Sequence, residues 1–123
     1  MRPDVVGILE DIRAAAQFIA DDTAGMTFEE FDHDRRARQL VEHNFEIIGE
    51  AVNRLRNREP SIAARLSSHN RIVAFRNVIS HGYDTIDYQI VWQTVQESLP
   101  VLQAEVEQVL REMGEGIGEG FSP

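Results

Sequence analysis

The residues best suited to chemistry in this sequence form one short run, Arg76-Asn77-Val78-Ile79-Ser80-His81-Gly82-Tyr83. Asn77 and His81 are four residues apart and therefore share one face of a helix, with the long side chain of Arg76 beside them. A guanidinium binds a phosphate through two N–H groups, and an imidazole with a pKa near neutrality can transfer a proton. The run therefore predicts phosphodiester cleavage without a metal ion, and a helix C-terminus at His81 favours the imidazolium form that acts as an acid.

The spacing of this arginine and histidine is not specific by itself, because an arginine is followed by a histidine five residues later at two places. Arg38 and His43 lie in the middle of a predicted helix, whereas Arg76 and His81 precede Gly82, a residue typical of helix ends. A structural interpretation of the second pair stays open at this point. In that interpretation His81 caps the terminal carbonyls and Arg76 pairs with a nearby acid.

Other catalytic and metal-binding classes are excluded or disfavoured by residue type. The sequence has no cysteine, which excludes disulfides, thiolate nucleophiles and cysteine-ligated metals. It also lacks a glycine-rich phosphate loop and the short motifs of zinc proteases and serine hydrolases. We interpret Asp32, His33 and Asp34 as charges at the start of a helix, and the pair Glu46 and Glu50 lacks a histidine or aspartate partner. We therefore predict no metal site and no cofactor.

The charge is acidic overall and basic in the middle of the chain. The 123 residues carry 12 basic and 21 acidic side chains, a formal net charge of −9, and every basic residue is an arginine. Nine of these arginines lie within residues 35–81, so this part can bind a polyanion, although a merely solvated helix face is the alternative. The chain has no apolar run of the ~18 residues that span a bilayer and no signal-peptide pattern, so we expect a cytoplasmic protein without membrane contact.

Apolar residues recur at the 3.6-residue period of amphipathic helices through most of the chain. This pattern predicts four long helices and one short helix, with no strand among them. The long helices are expected over residues 5–19, 31–57, 68–81 and 85–113, and the short helix over residues 61–66.

Capping residues predict where several of these helices begin and end. We expect Ser61 to cap the short helix, and Asp84 or Thr85 to open the last long helix. Pro100 should kink or divide that helix near Ser98, because proline has no backbone N–H to donate and its ring crowds the preceding turn.

The sequence predicts a single domain followed by a tail. The last ten residues, GEGIGEGFSP, include four glycines, which is typical of a flexible end with no role in the core. The predicted architecture is an all-α antiparallel helical bundle over residues 1–113, with a glycine-rich tail over residues 114–123.

Three separated stretches carry a family resemblance: FEIIGEAVNRL (45–55), RNVISHGYDTID (76–87), and the later elements IVW and LP. In this order they resemble the HepT family within the HEPN superfamily of helical ribonucleases, over roughly residues 5–110. The family's Arg-x4-His-x-Tyr element is matched in full by Arg76, His81 and Tyr83. The chain departs from many members in SIAARLSSHNRIVAF (61–75), where those members have a shorter link with an Ile-Pro-Trp element.

The resemblance implies an HEPN-like fold and a toxin ribonuclease that works as a homodimer, with the motif at the dimer interface. In-line attack by a 2′-hydroxyl needs a base at the nucleophile and an acid at the leaving 5′-oxygen, and a twofold axis supplies two copies of His81. In this interpretation His81 is the acid and base, and Arg76 binds the phosphate and its transition-state charge. Asn77 is an orienting hydrogen-bond partner.

The resemblance also implies two macromolecular partners. The substrate is RNA, with tRNA as the first candidate, and the antitoxin is a minimal nucleotidyltransferase that adenylylates Tyr83. Two alternatives stay open. In the first, the chain is a non-catalytic HEPN accessory subunit of a nucleotidyltransferase and uses the motif for recognition. In the second, the chain is a helical scaffold in which the motif is structural.

Overall fold

The computed structural model describes residues 3–67 and 86–121, with side chains up to residue 114. This part of the chain is almost entirely helical and has no strand, which confirms the predicted all-α class. The predicted helix over residues 68–81 lies outside the described residues. In chain order the elements are α1 (Pro3–Thr23), α2 (Phe28–His33), α3 (Arg35–Arg58), α4 (Pro60–Ala63), α5 (Tyr88–Gln93), a π-helical turn (Thr94–Ser98) and α6 (Leu99–Phe121).

Helix α1 packs along both α3 and α6 and is central to the described bundle. Ion pairs at the edge of its contact with α3 give the direction of the two helices. Asp4 pairs with Arg58 at 2.8 Å, and Asp11 pairs with Arg54 at 3.4 Å. A forward step along α1 therefore corresponds to a backward step along α3, as the predicted antiparallel bundle requires.

The core is formed by the apolar stripes that the helical period predicts. Burying a large apolar side chain stabilises a fold by about 1.5–3 kcal/mol, so these stripes supply most of the stabilising free energy. Within the two described ranges, no helix is both long enough and apolar enough to cross a bilayer. The largest fully buried side chains include Phe31, Phe45, Leu9, Ile12, Ile19, Ile48, Leu55, Leu66 and Leu102.

The helix predicted over residues 31–57 is wrong at its beginning, since two helices meet there. Thr27 and Glu30 cap α2 reciprocally, each side chain accepting the backbone N–H of the other residue. Asp34 follows α2 and caps α3 by accepting the N–H of Ala37 at 3.0 Å. An aspartate side chain competes with the helix for backbone N–H groups, which explains why the chain breaks at this position.

The predicted cap of the short helix is also wrong. Helix α4 begins at Pro60, and Ser61 instead donates its hydroxyl to the carboxylate of Glu59 at 3.0 Å. Proline suits the first position of a helix, because its fixed backbone angle is helical and no N–H is needed there.

The last long helix starts later than predicted. Helix α5 begins at Tyr88, with Asp87 as its N-cap, and not at Asp84 or Thr85. The Asp87 carboxylate accepts the N–H of Gln89 at 3.0 Å, so the nearest acid, rather than an earlier one, starts the helix.

A π-helical turn separates α5 from α6, which confirms the predicted division of the helix next to Pro100. The N–H of Leu99 donates to the carbonyl of Thr94, five residues earlier instead of four. This wider turn gives room to the proline ring, which would otherwise clash with the preceding turn of an α-helix. Helix α6 continues to Phe121 and so enters the glycine-rich stretch, while the boundary between domain and tail at residue 113 stays a prediction.

Candidate functional site

The structure describes the chain on both sides of the predicted site, but not the site itself. We call residues 68–85 the motif segment. Its flanks are Ser67, the last described residue before it, and Ile86, the first described residue after it. The assignment of the site residues therefore stays a prediction. Four predicted site residues lie outside the described residues: Arg76, Asn77, His81 and Tyr83.

The chain enters the motif segment from a position that is held by α6. Arg65 makes two hydrogen bonds to the carboxylate of Glu112, both of 2.7 Å. Ser67 donates its backbone N–H to both oxygens of Glu105, each at 3.1 Å. The Arg65 guanidinium and the Gln108 amide lower the pKa of Glu112 to about 2. Because Glu105 and Glu112 are two helical turns apart, one face of α6 holds this flank.

The chain leaves the motif segment beside α2 and α3. Ile86 is half-buried and packs against the core, and Asp87 caps α5. Tyr88 is the first residue of α5 and is also half-buried against the core. This flank is therefore held by apolar packing as well as by the helix cap.

Polar contacts surround Tyr88, and we call Arg38, Glu42 and Tyr88 the Tyr88 cluster. The Arg38 guanidinium lies over the Tyr88 ring, 5.0 Å from its centroid, which is a cation–π geometry. Arg38 also donates to the main-chain carbonyl of Asp32. The Tyr88 hydroxyl donates to Oε1 of Glu42 at 3.3 Å. The cluster thus joins the end of α2, the second turn of α3 and the start of α5.

Burial shifts both acidic groups of the Tyr88 cluster. Desolvation raises the pKa of Glu42, and this effect outweighs the lowering by the Tyr88 hydroxyl and the Arg38 charge. Desolvation also raises the pKa of Tyr88, to which the Glu42 charge adds in the same direction. The phenol therefore keeps its proton at neutral pH and remains the donor of the hydrogen bond.

Aromatic packing supports the same flank. The buried ring of Phe31 meets the Tyr88 ring edge to face, with centroids 6.3 Å apart and planes at 74°. Phe31 also contacts Trp92 of α5 at 5.1 Å. Such aromatic pairs prefer defined relative orientations, so α2 fixes how the first turn of α5 lies on the bundle.

The other arginine–histidine pair of the sequence, Arg38 and His43, does not form a joint site. Both residues lie on α3, but their side chains have different surroundings. Arg38 contacts Tyr88, whereas His43 is exposed. This arrangement agrees with the interpretation that the pair in the middle of a helix is not catalytic.

The interpretation of His33 as a residue at a helix start is wrong. His33 ends α2, and its Nδ1 lies 2.8 Å from the carbonyl oxygen of Glu29. Asp34 does lie at a helix start, as the cap of α3. Across the ranges that the structure describes, no three histidine, aspartate or glutamate side chains come together as a metal site requires.

Sequence reasoning missed the Tyr88 cluster. The spacing of Arg38 and Glu42, four residues apart on one helix, indicates a neighbouring pair on α3. Nothing in the sequence shows that Tyr88, 46 residues after Glu42, completes it. Such a contact depends on how the helices pack, which local periodicity does not encode.

The fold and these flanks define a small all-α bundle in which the motif segment connects α4 to α5 along the chain. The family model described as Ribonuclease HepT-like matches residues 8–109, a range that includes the motif segment. The chain therefore belongs to the HepT-like ribonuclease family, which confirms the resemblance seen in the sequence.

Individual relatives agree with this family. The protein named "Putative RNase MJ1380" of Methanocaldococcus jannaschii is 33% identical over 108 residues, which cover 85% of this chain and 94% of that protein. The protein named "Probable ribonuclease HepT" of Thermococcus cleftensis is 31% identical over 105 residues, which cover 82% and 91% of the two chains. No solved structure matches the chain.

Proposed function

We propose that the chain is an endoribonuclease that cleaves RNA without a metal ion, with Arg76 and His81 at its centre. The observation that carries this proposal is the match to the HepT-like ribonuclease family across residues 8–109. That range contains the complete Arg-x4-His-x-Tyr element of this sequence. The names of the relatives, which include ribonuclease and RNase, support the same class of reaction.

The proposed reaction is an in-line transfer of the RNA phosphate. The 2′-hydroxyl attacks the adjacent phosphorus, one His81 accepts its proton, and a new P–O2′ bond forms. The P–O5′ bond breaks, and a second His81, protonated, gives its proton to the leaving 5′-oxygen. Arg76 stabilises the charge on the pentacoordinate phosphorus, while Asn77 orients the imidazole by a hydrogen bond. The products are a 2′,3′-cyclic phosphate and a 5′-hydroxyl.

This mechanism needs two histidines, whereas each chain supplies one His81. A homodimer with a twofold axis at the site provides both, together with two copies of Arg76. Light scattering should therefore find a dimer. Mixing wild-type chains with an excess of His81→Ala chains should lower the activity of the wild type, because a mixed dimer holds one His81 at its shared site and lacks either the base or the acid. A fully active monomer would contradict the shared site.

The first test is cleavage of RNA by the purified chain in excess EDTA, followed by analysis of the 3′ ends. We expect 2′,3′-cyclic phosphate ends, and a loss of about 10²–10⁴-fold in rate for Arg76→Ala and for His81→Ala, with unchanged circular dichroism. The exposed His43→Ala is the matched control and should cleave normally. Arg38 is unsuitable as a control because it contacts Tyr88.

Other outcomes of this test identify the alternatives. Strict dependence on a divalent cation contradicts the mechanism. Absence of cleavage, together with co-purification with a nucleotidyltransferase, supports a non-catalytic accessory subunit. Absence of both indicates a helical scaffold. For the substrate itself, tRNA is the first RNA to assay, followed by other structured RNAs.

We further propose that the chain is the toxin of a toxin–antitoxin pair whose antitoxin is a minimal nucleotidyltransferase. In this reaction the Tyr83 phenol oxygen attacks the α-phosphorus of ATP, pyrophosphate leaves, and the phenol proton passes to solvent. The attached AMP places a phosphate anion near Arg76, where it competes with RNA at high effective concentration. Incubation with the nucleotidyltransferase and ATP should add AMP at Tyr83 and stop cleavage, whereas Tyr83→Phe should stay active and escape inhibition. Mass spectrometry without an adduct at Tyr83 would refute this regulation.

A further inference from the structure

We propose that the Tyr88 cluster positions the motif segment for catalysis, with Arg38 and Glu42 acting through Tyr88. This inference rests on the proposed ribonuclease function of Arg76 and His81. Arg38 and Glu42 each contact Tyr88, and none of the three residues is proposed to touch the substrate. We therefore treat them as positioning residues.

Tyr88 lies directly after the motif segment and its flank in the chain. Tyr88 begins α5, directly after the flank of Ile86 and Asp87. Tyr88 lies five positions after Tyr83, a length of chain that spans at most about 18 Å, and seven positions after His81, which gives about 25 Å. Tyr88 is therefore close along the chain to the residues of the proposed site.

Tyr88 is held from several directions. The Arg38 guanidinium lies over its ring, 5.0 Å from the centroid, and the Glu42 carboxylate accepts its hydroxyl at 3.3 Å. The edge contact with Phe31 fixes the ring against α2. Because Arg38 also bonds to the Asp32 carbonyl, two elements, α2 and α3, together define the position of the start of α5.

The polar groups of the Tyr88 cluster are held at a cost in free energy. Nε of Arg38 is buried and has no hydrogen-bond partner among the described residues. The Glu42 carboxylate is partly desolvated, as the raised pKa shows. Replacing buried polar groups by well-packed apolar side chains often leaves stability unchanged or raises it, so stability alone does not account for this cluster. In this bundle, the cluster defines where the chain leaves the motif segment.

Pairs of substitutions separate hydrogen bonding from packing at Glu42 and at Arg38. Glu42→Gln keeps an oxygen that accepts the Tyr88 hydroxyl, whereas Glu42→Leu removes it. Arg38→Met keeps the aliphatic stem but loses the guanidinium. Arg54→Gln is the matched control, because Arg54 lies on the same helix and forms an exposed ion pair with Asp11 at 3.4 Å.

The kinetic readout is the rate of RNA cleavage by the full-length chain. We expect Glu42→Leu and Arg38→Met to lower kcat by about ten- to a hundredfold with little change in KM, since small displacements of catalytic groups have effects of this size. Glu42→Gln should keep most of the activity, and Arg54→Gln should match the wild type. If the cluster served only stability, Glu42→Leu and Arg38→Met would lower the melting temperature without changing kcat per folded molecule.

Amide hydrogen exchange of the same variants tests the inference without relying on cleavage. Glu42→Leu and Arg38→Met should speed exchange of the backbone amides between residues 76 and 83, whereas Glu42→Gln and Arg54→Gln should not. If exchange there is unchanged in Glu42→Leu and Arg38→Met, the inference is wrong, whatever their activity. If exchange changes as expected while the wild-type chain cleaves no RNA, the positioning of the segment stands and the proposed function fails.

Discussion

The backbone N–H of Ser67 donates to both carboxylate oxygens of Glu105, at 3.1 Å each. Two residues earlier, Arg65 pairs with Glu112 on the same face of α6. These contacts hold the chain before the motif segment, and the Tyr88 cluster holds it afterwards. The segment with the predicted site residues is therefore attached to the bundle at each end by a carboxylate from a long helix, Glu105 from α6 and Glu42 from α3.

Removing the Glu105 carboxylate should loosen the chain at Ser67, where it enters the motif segment. Glu105→Ala leaves the Ser67 N–H without its acceptor, so we expect a loss of about 1 kcal/mol in the free energy of unfolding. Urea denaturation measures this loss, and amide exchange at Ser67 should become faster. Glu107→Ala is the control, because its ion pair with Arg13 is exposed and 3.5 Å long. The interpretation fails if Glu105→Ala and Glu107→Ala are equally stable and exchange at Ser67 is unchanged.

The neighbouring ion pair predicts a pKa that can be measured directly. The pKa of Glu112 is lowered to about 2, mainly by the hydrogen bonds from Arg65. Its contribution to stability is therefore complete above the ordinary value of 4.5 and is lost as the pH falls toward 2. In Arg65→Gln, we expect the pKa of Glu112 to move back up toward 4.5. An NMR titration of the side-chain carboxyl carbon checks this, and an unchanged pKa would contradict the bidentate geometry.

The helical period predicts the large elements well for a physical reason. Each long helix buries one stripe of side chains, and residues such as Ile12 and Phe45 reveal that stripe in the sequence. The same reasoning places the break near Pro100, because a missing N–H acts locally. Family motifs add the identity of the site residues, which periodicity alone leaves open.

The features that the sequence does not predict depend on competition between neighbouring capping residues or on contacts between residues far apart in the chain. Asp34 and Asp87 both start helices, yet the sequence offers other polar residues nearby that serve equally well as caps, so their choice depends on the rest of the fold. The Tyr88 cluster joins residues 46 to 50 positions apart in the chain. Such a contact follows from the angle between helices and has no local signature in the sequence.

Core and surface phenylalanines offer a direct test of the described packing. Phe45 on α3 is fully buried, whereas Phe18 on α1 is 57% exposed. Phe45→Ala should cost about 3–5 kcal/mol, because it removes buried apolar surface and leaves a cavity. Phe18→Ala should change stability by no more than about 0.5 kcal/mol, as is usual for exposed positions. Chemical denaturation compares the two variants, and similar losses would show that the burial of α3 is misassigned.

The raised pKa of Glu42 predicts how stability depends on pH. Because burial disfavours its charged form, the folded chain holds this proton above the ordinary value of 4.5, while the unfolded chain releases it there. The free energy of unfolding of the wild type, relative to Glu42→Gln, should therefore fall as the pH rises from 4.5 to the raised pKa, and then level off. Tyr88→Phe removes a hydrogen bond that lowers this pKa, so the fall should extend to higher pH in that background. Urea denaturation between pH 4 and pH 8 measures the free energy of unfolding, with Glu42→Gln as the reference in the wild-type and Tyr88→Phe backgrounds. A difference that grows in favour of the wild type with rising pH would mean that Glu42 is stabilised as the carboxylate, contrary to its burial beside Tyr88.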